Sequence, residues 1–151
     1  MSRVVLLDAG PLGLLTNPRR TPPVLRGVAW MQGLIAGGIA LRVPEIADYE
    51  VRRELLRIKS MRAIQRLDAL TAHLGYLPLT TEMMRQAAAC WGEARQRGMP
   101  TAPDLALDGD VILAAQAAVL RALGDDVVIA TTNPLHLNRF VPAALWQTIT
   151  A

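Results

Sequence analysis

Four short apolar runs, each separated from the next by one or more helix-length segments, constrain the fold of this 151-residue chain more than any other feature. The runs lie at residues 3–8, 39–43, 75–79 and 127–131. Runs of this length are typical of buried strands, and strands that alternate with helices favour a parallel sheet covered by helices. The sequence therefore predicts a single α/β domain over residues 1–151, with a central, mostly parallel sheet flanked by helices on both faces.

Proline, glycine and capping residues set the expected boundaries of the helices between these runs. The predicted helices cover residues 22–36, 44–59, 61–73, 80–97 and 111–123, and the helix at 80–97 is capped by Thr80 or Thr81. The last of them is nearly all apolar, which predicts burial on most sides. Residues 9–22 and 98–107 are predicted to be loops, and residues 146–149 an edge strand.

Composition and charge set wide limits on function. Aliphatic residues and alanine build the interior, since 52% of the chain is hydrophobic but only 4% is aromatic. So few rings argue against a base-stacking platform. A net charge of +3 is compatible with a nucleic acid or an acidic protein as partner and requires neither.

Cysteine content and apolar run lengths exclude several other classes. Cys90 is the only cysteine, so the chain forms no internal disulfide, and with only His73 and His136 it offers no thiolate zinc site. We expect Cys90 to be a small core residue. No apolar run approaches a membrane span, and Asp8 interrupts what would be the core of a signal peptide. The expected location is the cytoplasm, with no membrane partner.

Four polar side chains fall where the carboxyl edge of the predicted sheet should lie. Asp8 ends the first run, Glu50 follows the second, Asp110 opens the apolar helix and Asn133 follows the fourth run. Ligand sites of open α/β sheets lie at this edge. Carboxylate and amide oxygens suit Mg²⁺ or Mn²⁺ rather than zinc.

Each of these residues also has a purely structural interpretation. Asp8 and Asn133 are residue types that form turns, and Glu50 suits a solvent-facing helix position paired with Arg53. Either Asp108 or Asp110 suits a helix N-cap. The other acid would then lie near the N-terminus of the helix, where negative charge is also favoured.

Taken together, four sequence blocks resemble the PIN-domain nucleases, and in particular VapC-type toxins. The most specific blocks are Asp110-Val-Ile-Leu-Ala-Ala-Gln-Ala117, similar to the family's Asp-Ala-Leu-Ile-Ala-Ala-Thr-Ala helix, and Val127-Val-Ile-Ala-Thr-Thr-Asn133 followed by His136. Val4-Val-Leu-Leu-Asp8 and Val43-Pro-Glu-Ile-Ala-Asp-Tyr-Glu50 resemble the segments of the first two acids. The order and spacing of the blocks agree over essentially the whole chain.

The resemblance implies a PIN-like fold and a Mg²⁺- or Mn²⁺-dependent endoribonuclease. Asp8, Glu50 and Asp110 would be the catalytic and metal-binding carboxylates, and Asp108 and Asn133 are additional candidates for the metal. Thr131 and Asn133 would support the turn that follows the fourth strand, and Asp104 is an outer candidate. A small cognate antitoxin, a homodimer and RNA are the partners that the family implies.

Two positions depart from the family pattern. Ala9 follows the first acid where relatives usually carry Thr or Ser, so a supporting hydroxyl is missing. Asn133 stands at a turn position where many relatives carry a fourth Asp or an Asn, and it lacks the negative charge of an Asp, which favours one metal ion over two. These departures motivate an alternative, a catalytically weakened PIN-like module that binds RNA or a protein. A phospho-receiver or flavodoxin-like domain is a third class, but the sequence lacks the motifs of both.

Basic residues cluster in two segments that could follow an RNA backbone. Six of the sixteen lie in one stretch after Glu50, residues 52–66, and three lie near the first predicted loop. The candidates for RNA contact are Arg19, Arg20, Arg53 and Arg57. The same residues would also suit a solvated helix face and loop. A nuclease needs such a rim to offset repulsion between its acids and the substrate backbone.

Overall fold

The computed structural model describes residues 2–98 and 104–151, with the side chains of residues 104–106 left aside. Within this part lie five strands: β1 (Arg3–Leu7), β2 (Ala40–Pro44), β3 (Tyr76–Leu77), β4 (Asp126–Thr131) and β5 (Ala143–Leu145). They form one sheet in the order β3-β2-β1-β4-β5, and every pairing is parallel. The predicted α/β class and parallel sheet are confirmed.

Helices cover both faces of this sheet. They are α1 (Ala9–Thr16), α2 (Pro22–Ala36), α3 (Glu45–Arg57), α4 (Met61–Leu74), α5 (Thr81–Gln96), α6 (Asp104–Ala122) and α7 (Pro134–Leu137). Alternate residues of β1 point to opposite faces, as the strand period requires. Val5 and Leu7 pack in a core cluster with α1–α4, whereas Val4 and Leu6 pack in a cluster with α5, α6 and α7.

The near-continuous apolar character of α6 follows from its two neighbours. One side of α6 packs on the sheet through Leu113 and Ala117, and another packs on α5 through Val111 and Ala115. As predicted, the helix is buried on most sides. In the part of the chain that the structure describes, no helix has the length and apolarity needed to cross a membrane.

The prediction of a loop over residues 9–22 is wrong, because residues 9–16 form α1. Gly and Pro in this segment argue against a helix, but Leu12 and Leu15 are fully buried against the sheet, and that burial outweighs the propensity. Pro11 stands in the first turn, where its missing N–H is no loss. Asp8 thereby becomes the N-cap of α1.

Two further boundaries differ from the sequence prediction. The edge strand is Ala143–Leu145 rather than 146–149, because Trp146 turns inward in a short 3-10 helix and packs edge-on against Trp30, with 5.3 Å between the ring centroids. Helix α6 begins at Asp104, inside the predicted loop, so neither Asp108 nor Asp110 is its N-cap. Residues 99–103, which were also predicted to be part of this loop, lie outside the described residues.

Candidate metal and nuclease site

Asp8 lies at the carboxyl edge of the sheet, where the chain connections diverge to either side. Strand β1 pairs with β2 on one side and β4 on the other, which is the switch point where α/β sheets bind ligands. One carboxylate oxygen of Asp8 accepts a hydrogen bond from the Ala9 N–H at 2.7 Å, and the other accepts from the Thr131 hydroxyl at 2.7 Å. Asp8 therefore has two donors that stabilise its charge and fix its orientation, even though Ala9 carries no hydroxyl.

Thr131 connects the first acid to the turn after β4. Its side chain is 1% exposed, donates to Asp8 and accepts a hydrogen bond from the Asn133 N–H at 3.1 Å. Asn133 itself is exposed and precedes α7. The Thr131 hydroxyl therefore connects the Asp8 carboxylate to the backbone of the turn at Asn133.

Glu50 reaches the same site from α3. Its carboxylate packs against α6 at Gly109, where an added Cβ would lie 3.2 Å from Oε1. Burial raises the pKa of Glu50, and the charges of Asp8 and Asp110 raise it further, whereas Arg53 lowers it. Glycine at position 109 thus allows α3 and α6 to bring two acids close together.

Asp110 is the third acid. Burial, followed by repulsion from Asp8, raises its pKa to about 6, and the charge of His136 acts in the opposite direction. Three acids from three elements therefore repel one another in a half-buried setting. A bound cation would compensate for the burial of these carboxylates and the repulsion between them, which Arg53 and His136 offset only in part.

The donor set fits a hard cation by its chemistry, since it consists of carboxylate oxygens. Among the side chains that the structure describes, in residues 2–98 and 107–151, however, no three His, Cys, Asp or Glu groups converge closely enough to hold a metal ion. The acids share an electrostatic site without forming a closed coordination shell.

Asp108 does not lie with these three acids. Two residues apart on a helix, Asp108 and Asp110 point in nearly opposite directions. Asp108 is exposed and lines a groove between α5 and α6, together with Trp91 and Met84. For Asp104, only the backbone is described, as the first residue of α6.

The predicted basic residues are dispersed. Arg53 lies close enough to Glu50 to lower its pKa, and Arg57 is paired with Glu54 near the end of α3. Arg19 lines a separate groove between α1, α3 and α4, and Arg20 is exposed in the following loop. Of this set, only Arg53 is tied by an interaction to the three acids.

His136 is the site residue that the sequence reasoning missed. It follows Asn133 by three residues, less than one helical turn, and its charge reaches Asp110. Within the described residues, its Nδ1 is the buried side-chain nitrogen or oxygen that has no hydrogen-bond partner. The Asn-x-x-His spacing was the available signal.

Cys90 is half-buried rather than fully enclosed and packs beside Ala87 and Val111. Burial, with a smaller contribution from Glu93, raises the pKa of its thiol. It lies on the α5 side of α6, and nothing in the arrangement links it to the acids.

The fold matches solved structures along nearly its whole length. One match is VapBC2 from Rickettsia felis, whose structure was solved with a bound DNA fragment from the VapBC2 promoter. It has a TM-score of 0.70 at 14% identity and covers 95% of this chain and 98% of that one. The chain has a PIN-like fold. FitAcB from Neisseria gonorrhoeae matches this PIN-like chain with a TM-score of 0.68 at 19% identity, over 96% and 99% of the two chains.

A third structure, VapBC-1 from nontypeable Haemophilus influenzae, has a TM-score of 0.66 at 14% identity and covers 96% of the PIN-like chain and 99% of its own. No protein-family model and no curated protein matches the sequence. At these identities the likeness is one of fold, so the residues themselves must carry any conclusion about activity.

Proposed function

We propose that this chain is a metal-dependent endoribonuclease, which hydrolyses phosphodiester bonds by means of a metal-activated water. The observation that carries the proposal is that Asp8, Glu50 and Asp110 lie within electrostatic range of one another at the switch point of the sheet, where burial and repulsion between these acids raise the pKa of the last two. Perturbed acids that cluster at a ligand-binding edge are typical of functional sites.

Asp8, Glu50 and Asp110 are the residues that would hold Mg²⁺ or Mn²⁺, with Asn133 as an additional oxygen donor. Asp108 is the weakest metal candidate because it faces the α5–α6 groove. A bound cation of this kind lowers the pKa of its water and offsets charge on the phosphodiester.

The protein's own groups position the acids and the substrate. Thr131 and the Ala9 N–H hold the Asp8 carboxylate, and Gly109 leaves room for the Glu50 carboxylate. Arg53 beside Glu50 and His136 beside Asp110 place donors on two sides of the acids. These donors would contact phosphate oxygens of the RNA and reduce repulsion between the acids and its backbone.

The structural neighbours support a role in a toxin–antitoxin pair. They are VapBC and FitAcB assemblies, and the sequence blocks resemble VapC-type toxins. We therefore propose a small antitoxin as protein partner and a homodimer as the assembly. Co-purification with the product of an adjacent short reading frame tests the first, and light scattering of the purified chain tests the second.

Cleavage of single-stranded and structured RNA, with Mg²⁺ or Mn²⁺, tests the activity. We expect the wild-type protein to cleave and Asp8→Asn, Glu50→Gln and Asp110→Asn to lose at least about 100-fold, since each removes charge that would hold the metal. Asp126→Asn is the matched control, because this exposed acid begins β4 at the opposite edge of the sheet. Equal cleavage by wild type and Asp8→Asn would refute the proposal.

A catalytically weakened module that binds RNA or a protein is the second candidate. Two observations favour it: Ala9 lacks the hydroxyl usual in relatives, and the three acids do not form a closed metal shell in the described residues. It predicts RNA binding or complex formation that EDTA leaves unchanged, with no metal-dependent cleavage.

A further inference from the structure

Both tyrosines of the chain line one surface groove beside the acid site. Tyr49 on α3 is 50% exposed and Tyr76 on β3 is 42% exposed. The groove has a volume of about 290 Å³ and also contains the exposed side chain of Leu56. Exposed rings that converge in a concave surface are typical of a binding site.

Arg53 joins this groove to the acids. Its guanidinium carbon lies 5.1 Å from the centroid of the Tyr49 ring, and its charge lowers the pKa of Glu50. Within the described ranges, no carboxylate lies within ion-pair distance of Arg53, so its donors are available to a ligand. Tyr49 directly precedes Glu50 on α3, and Arg53 follows Tyr49 by about one helical turn, so the groove and this acid share one short segment of the helix.

The other charged groups in the groove already have partners. Arg52 donates to both oxygens of Asp48 at 3.0 Å and to Asp68 at 2.8 Å. Glu45 accepts a hydrogen bond from the Leu79 N–H at 2.7 Å. The lining therefore offers aromatic faces and nearly balanced charge. Such a lining suits a flat uncharged ring better than a phosphate group.

We propose that the groove between Tyr49 and Tyr76 binds a nucleobase of the RNA, next to the nucleotide whose phosphate lies at the acid site. The inference rests on the proposed ribonuclease function and names a subsite of that same site. Stacking on an aromatic face tolerates every base, so the subsite would strengthen binding of single strands more than it would select a sequence. Duplex RNA would bind less well, since its bases are already stacked.

The test uses short single-stranded RNA in the presence of Mg²⁺, with the non-cleaving Asp8→Asn protein as background. Fluorescence anisotropy measures the affinity for a labelled pentamer and for pentamers that each carry one abasic nucleotide. Adding Tyr49→Ala should weaken binding of the intact pentamer about 10-fold. Tyr49→Phe keeps the ring and should retain most of the affinity.

In the Asp8→Asn protein, an abasic nucleotide at one of the five positions should weaken binding by a similar factor. Once Tyr49→Ala is also present, the same abasic nucleotide should weaken binding no further, because both changes remove the same contact. Trp91→Ala is the matched control, since Arg95 lies over the exposed Trp91 ring at the same 5.1 Å but in the α5–α6 groove. It should leave RNA affinity unchanged.

Three results would overturn the inference. Unchanged affinity of Tyr49→Ala for RNA that the wild-type protein binds and cleaves would reject the subsite and leave the ribonuclease intact. A change of oligomeric state in Tyr49→Ala, measured by light scattering, would show that a second copy of the chain covers the groove. Absence of both RNA binding and cleavage in the wild-type protein would reject the proposed function together with the subsite.

Discussion

The Thr131 hydroxyl donates a hydrogen bond of 2.7 Å to the Asp8 carboxylate, joining residues 123 positions apart at the ends of the paired strands β1 and β4. Thr131 is almost fully buried, and the same hydroxyl oxygen accepts a hydrogen bond from the Asn133 N–H. A single buried side chain therefore orients the first acid and fixes the turn that leads into α7. This bond links the stability of the sheet to the geometry of the candidate site.

Replacing Thr131 with valine removes both hydrogen bonds and keeps the volume. We expect the free energy of unfolding to fall by about 1–3 kcal/mol, because Asp8 and the Asn133 N–H each lose a partner in a partly enclosed site. RNA cleavage should fall by more than the folded fraction does. Thr131→Ser keeps the hydroxyl and should retain activity; a valine variant as active as the serine variant would contradict the role of the hydrogen bond.

Asp110 should make the metal-free protein less stable as the pH rises. Its pKa is raised from 3.8 to about 6 in the folded chain, so the folded state binds the proton more tightly than the unfolded state. The stability that the protonated Asp110 carboxyl contributes is fully present below about pH 4 and is lost as the pH rises through about 6. Two pKa units correspond to about 3 kcal/mol for an enclosed group, and solvent at this half-buried position reduces the effect to about 1 kcal/mol.

Asp110→Asn should therefore be more stable than wild type at pH 7 in EDTA, and the difference should disappear near pH 4. Urea denaturation across this range measures it. Excess Mn²⁺ at pH 7 should stabilise wild type more than Asp110→Asn. A wild-type protein that is the more stable of the two at pH 7 without metal would contradict the assigned pKa shift.

Gly109→Ala should displace the Glu50 carboxylate, because the new Cβ would lie 3.2 Å from Oε1. We expect cleavage to fall about 10-fold with little loss of helix content, since alanine favours the helix. Gly92→Ala is the matched control: Gly92 lies in α5, and a Cβ there would meet no atom within 4 Å. It should keep full activity and gain about 0.5–1 kcal/mol of stability. Circular dichroism measures the helix content of both variants, and RNA cleavage measures their activity. Equal cleavage by the two variants would contradict the prediction.

His136→Phe should separate stability from activity. The change removes a buried nitrogen that has no partner, so we expect stability to be unchanged or higher. Cleavage should fall about 10-fold because the imidazole whose charge acts on Asp110 is lost, and the pKa of Asp110 should rise further because His136 lowers it. Thermal melting, RNA cleavage and NMR titration of the Asp110 carboxyl measure the three effects. Full activity in this variant would exclude His136 from the site.

The periodicity of the sequence was sufficient to predict most of the elements and the parallel sheet. Apolar runs of about five residues are shorter than most helices, so they favour strands that pair their backbone groups in a sheet, and the nearly all-apolar α6 requires neighbours on several sides. Helix α1 was missed because glycine and proline oppose a helix locally, whereas Leu12 and Leu15 gain from burial that only the folded chain provides.

The sequence by itself determined the class of fold and the order of the acids, since both depend on the spacing of residues along the chain. Only the tertiary structure decided which polar groups meet. It placed Asp110 rather than Asp108 near Asp8, joined Asp8 to Thr131, and brought His136 near Asp110. The physical reason is that apolar periodicity specifies each element and its buried face, but contacts between distant residues form only when those faces pack together.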